Sequence, residues 1–214
     1  MIAQASNLVN SVDSTFFFIV GVSVFFLVII TFCMIYFVIR YSRKRNPKAT
    51  NIHGNIFLEI AWTVIPTILA LFMFWYGWTD YKVESTPPAD TYNIDVTGQM
   101  WHWTFKYSNG VEMDSLYLPL NKDIKVFIRS KDVDHSFYVP AFRVKKDAIP
   151  GRTNTAWFRP EKIGVYNLFC AEYCGTSHSY MITKVVVLPE NDFNAFLNKR
   201  LAAMKVALAN DTTK

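Results

Sequence analysis

Charge is scarce in this 214-residue chain: Asp, Glu, Lys and Arg make up 18% of it, against about 25% in an average soluble domain. No Lys or Arg precedes Arg40, and no charge of either sign lies from Phe16 to Val38. Cysteine is limited to Cys33, Cys170 and Cys174, and no C-x2-C-H motif occurs, which excludes a haem c attached to this chain. Gly and Pro number only 8 and 9 while hydrophobic residues reach 51%. That excludes a disordered chain or polar linker, and neither a repeat nor a low-complexity stretch is visible.

The net charge of +5, from 22 bases and 17 acids, is concentrated in one place. Arg40, Arg43, Lys44, Arg45 and Lys48 lie in 40–55, a stretch without an acid, whereas 80–190 carries 13 bases and 13 acids. No basic face is left over to bind phosphates, so nucleic acid is excluded as a partner.

The uncharged run 16–38 is long enough to cross the roughly 30 Å hydrocarbon layer of a bilayer. A second run, 56–78, contains a single acid, Glu59, and a single proline, Pro66. A buried core helix of that length with no polar face is uncommon, so both runs are predicted to span a membrane. The basic loop between them stays cytoplasmic, which puts both termini on the other side. Trp75, Tyr76 and Trp78 stand where an interfacial aromatic belt is expected at the outer end of the second span. With no base in 1–15, the first span is expected to be a retained anchor rather than a cleaved signal; Cys33 reads as lipid-facing filler. The predicted organisation is an outer segment 1–15, spans 16–39 and 56–78 joined by the basic loop 40–55, a Pro-bearing linker 79–90, a domain 91–190 and a helical tail 191–214.

Within 91–190 the pattern changes to short alternating runs: 92–98, 101–107, 125–130, 153–160, 164–169 and 181–189. Turn residues separate them, and the spacing predicts an all-β sandwich or barrel of about a hundred residues. Trp101, Trp103, Phe105 and Tyr107 would share one face of such a strand.

The segment 170–181 holds Cys170, Cys174, His178 and Met181 in a C-x3-C-x3-H-x2-M spacing, and His135 lies 35 residues upstream of Cys170. Thiolate, thioether and imidazole together select copper over magnesium or calcium. A mononuclear blue-copper site needs one Cys, two His and a weak axial Met, which leaves a spare thiolate here. Two thiolates can bridge two copper ions with one His on each, completed by Met181 and a backbone carbonyl between the cysteines, that of Glu172. Such a pair shares its electron and reorganises little on oxidation, which suits a relay rather than a catalyst. Taken alone, C-x3-C in an oxidising compartment is as well a disulfide or a redox pair; the His and Met residues around it favour metal.

These residues resemble subunit II of the haem–copper cytochrome c oxidases. LEIAWTVIP (58–66), GQMWHW (98–103), DVDHSFYVP (132–140), DAIPGR (147–152) and CAEYCGTSHSYM (170–181) carry the likeness, which covers nearly the whole chain. The resemblance implies a two-helix transmembrane hairpin followed by a cupredoxin-like Greek-key sandwich or barrel and a short C-terminal helix. It implies a dinuclear copper A centre held by His135, Cys170, Cys174, His178, Met181 and the backbone oxygen of Glu172. It further implies that the Glu172 side chain reaches a magnesium at the interface with subunit I, that Trp101 receives electrons from a c-type cytochrome donor, and that Glu59 sits at the mouth of a proton path. The partners implied are the haem-bearing subunit I, subunit III and the donor, in a bacterial plasma membrane with the copper domain outside.

The sequence departs from the family pattern at Lys106, at Phe137 where Trp is familiar, and in the lysines flanking the ligands, Lys131, Lys145 and Lys146. An acid-rich docking face for a basic cytochrome is therefore not expected, and a different or membrane-bound donor is. Two further readings were weighed. A membrane-anchored copper chaperone or thiol–disulfide protein would place its cysteine pair at a helix start. A quinol oxidase subunit II would lack the ligand set.

Overall fold

The computed structural model describes residues 3–48, 50–51 and 53–211. It divides into a helical unit, 11–81, and a unit made of 1–10 with 82–214.

The helical unit consists of α1 (Val9–Arg40) and α2 (Ile56–Ser85), which belong to it over 11–40 and 56–81. Their apolar side chains point outward on every side, as at Phe17 and Leu27 of α1 and at Phe57, 81% exposed, of α2. A surface of that kind is stable only against lipid or another chain. Near the outer ends, Asp80 of α2 accepts hydrogen bonds from Ser11 and Thr15 of α1, and Phe18 packs on Tyr76 with ring centroids 5.4 Å apart. Asn55 caps α2, its Oδ1 accepting from the backbone N–H of Phe57 and Leu58, and Glu59 lies in the first turn, where an acid complements the helix dipole.

The second unit is a sandwich of two five-stranded sheets. The strands are β1 (Tyr92–Gln99), β2 (His102–Tyr107), β3 (Glu112–Met113), β4 (Leu116–Pro119), β5 (Ile124–Ser130), β6 (His135–Val139), β7 (Val144–Ala148), β8 (Asn154–Phe158), β9 (Gly164–Cys170) and β10 (Ile182–Leu188). One sheet runs β3-β2-β1-β5-β8 and the other β4-β10-β9-β6-β7. The β1–β5 and β4–β10 pairs are parallel and the others antiparallel. This is the cupredoxin-like arrangement expected, with α3 (Glu190–Asp211) after the last strand.

Alternation explains the core. Ile94 and Val96 of β1 and Ile124, Val126 and Ile128 of β5 point inward and are fully buried, opposite Phe137, Val139, Leu168 and Val185 of the second sheet. Each such side chain contributes about 1.5–3 kcal/mol of burial. Phe193 of α3 closes one end of the barrel against Tyr92 and Tyr107. Tyr107 donates to the Tyr117 carbonyl and accepts from the Tyr117 N–H, at 3.0 and 2.7 Å; burial pushes its pKa up.

Three boundaries differ from the sequence expectation. Helix α1 starts at Val9, so only 3–8 of the outer segment is extended. That strip joins the β unit: Ala5 N–H donates to the Ala141 carbonyl, Glu161 N–H to the Ala5 carbonyl, and Ser6 Oγ to the Phe142 carbonyl. Ala5, Ser6 and Leu8 are buried there. Second, α2 runs to Ser85 through half of the anticipated linker, because the stretch 79–85 holds no Pro or Gly and Trp157 Nε1–H takes the Val83 carbonyl at 2.9 Å. Third, the C-terminal helix is 22 residues long rather than short.

Candidate metal centre

The β6–β9 ladder pairs Phe137 with Cys170. His135 therefore stands at the start of β6, two residues before the partner of Cys170. Beyond Cys170 the chain loops through 171–177, makes a one-turn helix at His178–Tyr180 and enters β10. The Cys170 N–H donates to the Met181 carbonyl and the Ala171 N–H to the Ser136 carbonyl, each at 3.1 Å. The first bond closes the two ends of the loop and the second ties its start to β6. At Gly175 the backbone adopts φ +110°, a dihedral that favours glycine, and the Trp101 ring lies alongside.

The sulfurs of Cys170 and Cys174 are 3.8 Å apart, about twice a disulfide bond length, and both cysteines are free and buried. His135 Nδ1 lies 3.8 Å from Cys170 Sγ, and His178 Nδ1 lies 3.5 Å from Cys174 Sγ. Met181 Sδ is 3.9 Å from Cys174 Sγ, and the Cys170 thiol donates to the Glu172 carbonyl at 3.2 Å. All six donors anticipated from the sequence thus converge on one pair of sulfurs. Each imidazole faces a different sulfur, with the thioether at one and the carbonyl at the other. Burial, then the bond to Cys170, pushes the Cys174 thiol up to about 12, so without metal it keeps its proton. His135, Cys170 and Met181 are almost wholly shielded from water, while His178 is half-buried with Tyr173 beside it, ring centroids 5.8 Å apart.

Asp132 was not singled out in the sequence. Its Oδ1 lies 2.8 Å from His135 Nε2, and its other oxygen accepts the Met100 N–H at 2.7 Å. Burial opposes its ionisation, but donors from Met100, His135 and Val133 outweigh that and hold the carboxyl at about 2. With the carboxylate on Nε2, Nδ1 is turned towards Cys170 with its lone pair free, the arrangement common behind metal-bound histidines. The signal in the sequence was an acid three residues before a candidate ligand.

Trp101 lies just before β2, outside the strand, and is 38% exposed. Only Trp103, Phe105 and Tyr107 of the aromatic run face the core, which corrects the expectation of one shared face. The Trp101 Nε1–H donates to the Cys174 carbonyl at 3.0 Å. Met100, Tyr173 and Tyr180 are also exposed.

The Glu172 side chain is not among the converging donors. Its Oε1 accepts from Lys145 Nζ at 3.1 Å, and the same ammonium binds Asp147 at 2.9 Å; Asp147, then Glu172, raises the pKa of Lys145. Glu172 thus offers a single, half-exposed carboxylate to any cation. Glu59 belongs to the helical unit, not to the β unit that carries the ligands.

Comparison with known proteins gives the family. The family described as cytochrome c oxidase subunit II, transmembrane domain, matches residues 2–78, and that described as cytochrome c oxidase subunit II, periplasmic domain, matches 111–188. The alternative cytochrome c oxidase subunit 2 of Bradyrhizobium diazoefficiens is 31% identical over 199 residues, covering 78% of this chain and 72% of that protein. The cytochrome c oxidase subunit 2 of Cereibacter sphaeroides is 30% identical over 213 residues, covering 80% and 70%. Among solved structures, the periplasmic domain of subunit II of the Bradyrhizobium japonicum cytochrome oxidase is similar with a TM-score of 0.52 at 32% identity, covering 54% of this chain and 96% of that one.

Proposed function

This chain belongs to the cytochrome c oxidase subunit II family, and we propose that it is the electron-input subunit of a proton-pumping haem–copper terminal oxidase. It takes electrons from a c-type cytochrome and passes them to haem in subunit I, where oxygen is reduced to water. The observation that carries this reading is the pair of unbonded sulfurs 3.8 Å apart, each faced by its own imidazole.

The donor set suits two copper ions, which Cys170, Cys174, His135, His178, Met181 and the Glu172 carbonyl would hold between them. When bound, the copper pair supplies a one-electron relay whose charge is shared by both metals. The protein's part is rigidity and dryness. Asp132 orients His135, backbone bonds hold the loop, and burial keeps water from the sulfurs. Because Cys174 is protonated without metal, loading must release protons.

Trp101, exposed on one edge and bonded to the Cys174 carbonyl on the other, is the point where electrons arrive. Glu172 gives one carboxylate to a magnesium at the subunit I interface once Lys145 swings off it. Glu59, in the first turn of α2 next to the basic loop, stands at the mouth of a proton path into subunit I. Subunit III and a donor other than a strongly basic soluble cytochrome complete the partners.

The chain lies in a bacterial plasma membrane. The five bases of the loop 40–55 favour the cytoplasmic side for that loop, and the copper domain then lies outside.

The test is metal analysis and electron-spin resonance of the full chain purified in detergent. Two coppers per chain and hyperfine splitting from two equivalent nuclei are expected. One copper, zinc, or an oxidised cysteine pair that takes up nothing would overturn the reading.

A further inference from the structure

Gly98 of β1 and Trp103 of β2 face each other across the ladder and together bound the space that holds His135. A Cβ at Gly98 would lie 3.1 Å from His135 Cδ2, 3.3 Å from His135 Cβ and 3.1 Å from Trp103 Cζ3. The backbone there is not left-handed, so space rather than dihedral strain demands the glycine. Neither neighbour has room to yield. His135 is fully buried, with Asp132 2.8 Å from one ring nitrogen and Cys170 Sγ 3.8 Å from the other. Trp103 is 2% exposed and meets His135 and Phe137 in edge-to-face contacts, with centroids 6.0 and 6.1 Å away.

Trp103 shows a second anomaly. Its Nε1–H is the one buried side-chain polar atom without a hydrogen-bond partner among the described residues. A donor left so costs about 1–3 kcal/mol. An indole retained at that cost serves through its shape. We propose that Gly98 and Trp103 are positioning residues for the copper pair: the bare backbone of one and the ring edge of the other set the plane of His135, and so the reach of Nδ1 past Cys170. The inference rests on His135 being a ligand, as proposed above.

The experiment compares full-length wild type with Gly98→Ala, Trp103→Phe and the double variant in detergent, using two readouts. The first is the resonance of the His135 ring in the copper-free protein. The second is copper affinity with the electron-spin spectrum. Gly98→Ala should shift the His135 resonance and weaken copper binding about 10- to 100-fold, the usual effect of disturbing the groups behind a ligand. Trp103→Phe, by withdrawing the ring edge, should restore part of both in the double variant; a merely structural role would make the two losses add.

An unchanged resonance and affinity in Gly98→Ala, or a double variant no better than Gly98→Ala, would overturn the proposal. Should Gly98→Ala not fold, Trp103→Phe alone decides by whether the His135 resonance moves. A wild type that takes up no copper pair would sink the proposed function, whereas the copper-free resonance separately decides whether Gly98 and Trp103 set the plane of His135.

Discussion

The indole N–H of Trp101 bonds to the carbonyl oxygen of Cys174 at 3.0 Å, so an exposed ring is coupled through one hydrogen bond to the backbone of a buried cysteine. Gly175, next in sequence, lies beside that ring in a left-handed turn. Exposed aromatic, bond and sulfur form a short route from the surface to the centre.

Trp101→Phe keeps the apolar surface but removes the donor. Turnover with the natural c-type donor should fall about tenfold or more, equivalent to about 1.4 kcal/mol, while copper content stays at the wild-type level. Loss of copper in this variant would assign the ring to assembly rather than to electron transfer.

Cys174→Ser removes one bridging sulfur. The chain should still insert into the membrane and its β unit should still fold, since serine nearly matches the size of Cys174 and most of the core comes from other residues. The two-copper spectrum and turnover with the donor should both vanish, measured by electron-spin resonance and oxygen uptake.

Asp132→Asn leaves the shape of the side chain but removes the charge that holds His135. Copper affinity should drop about 10- to 100-fold, as read from competition with a chelator. A variant that binds copper as tightly as wild type would show that the loop alone orients the histidine.

The same carboxylate gives a pH dependence in the copper-free protein. Its folded pKa, about 2, lies below the ordinary value of 3.8, so its stabilisation is complete above about pH 4 and is lost as pH falls through about 2. Thermal melts of wild type should show this acid loss, of about 1–3 kcal/mol for bonds to a charged group, and Asp132→Asn should lack that component.

Phe142→Ala tests the core. The ring is fully buried between Phe158 and Tyr166, with centroids 5.1 and 5.5 Å away, and the carbonyl of the same residue accepts from Ser6 of the outer strip. Denaturant unfolding of the β unit should show a loss of about 3–5 kcal/mol.

Much of this was legible in the residues. The uncharged run 16–38 and the near-uncharged run 56–78 announce helices because only a helix satisfies its backbone in lipid. The runs 92–98, 125–130 and 164–169 read as strands because alternation matches a half-buried sheet. Strands β4, β6 and β7 were missed: each is four or five residues long, β6 is buried on nearly every residue and β7 carries Lys145, Lys146 and Asp147, so neither alternates. The proposed ligands stand out in the sequence because soft donors at C-x3-C-x3-H-x2-M spacing have few other uses. Asp132 and Gly98 were not, since their importance lies in what touches them.

The sequence by itself determined the two apolar runs, the cluster of five bases between them, the β character of the domain and the C-x3-C-x3-H-x2-M grouping, because each follows from local chemistry within a short window. Only the tertiary structure decided that His135 meets Cys170 across the β6–β9 ladder, that Trp101 leaves the core face to reach Cys174, and that the strip 5–8 completes the β unit. Those relationships join residues dozens of positions apart, and packing and register, not neighbouring sequence, bring them together.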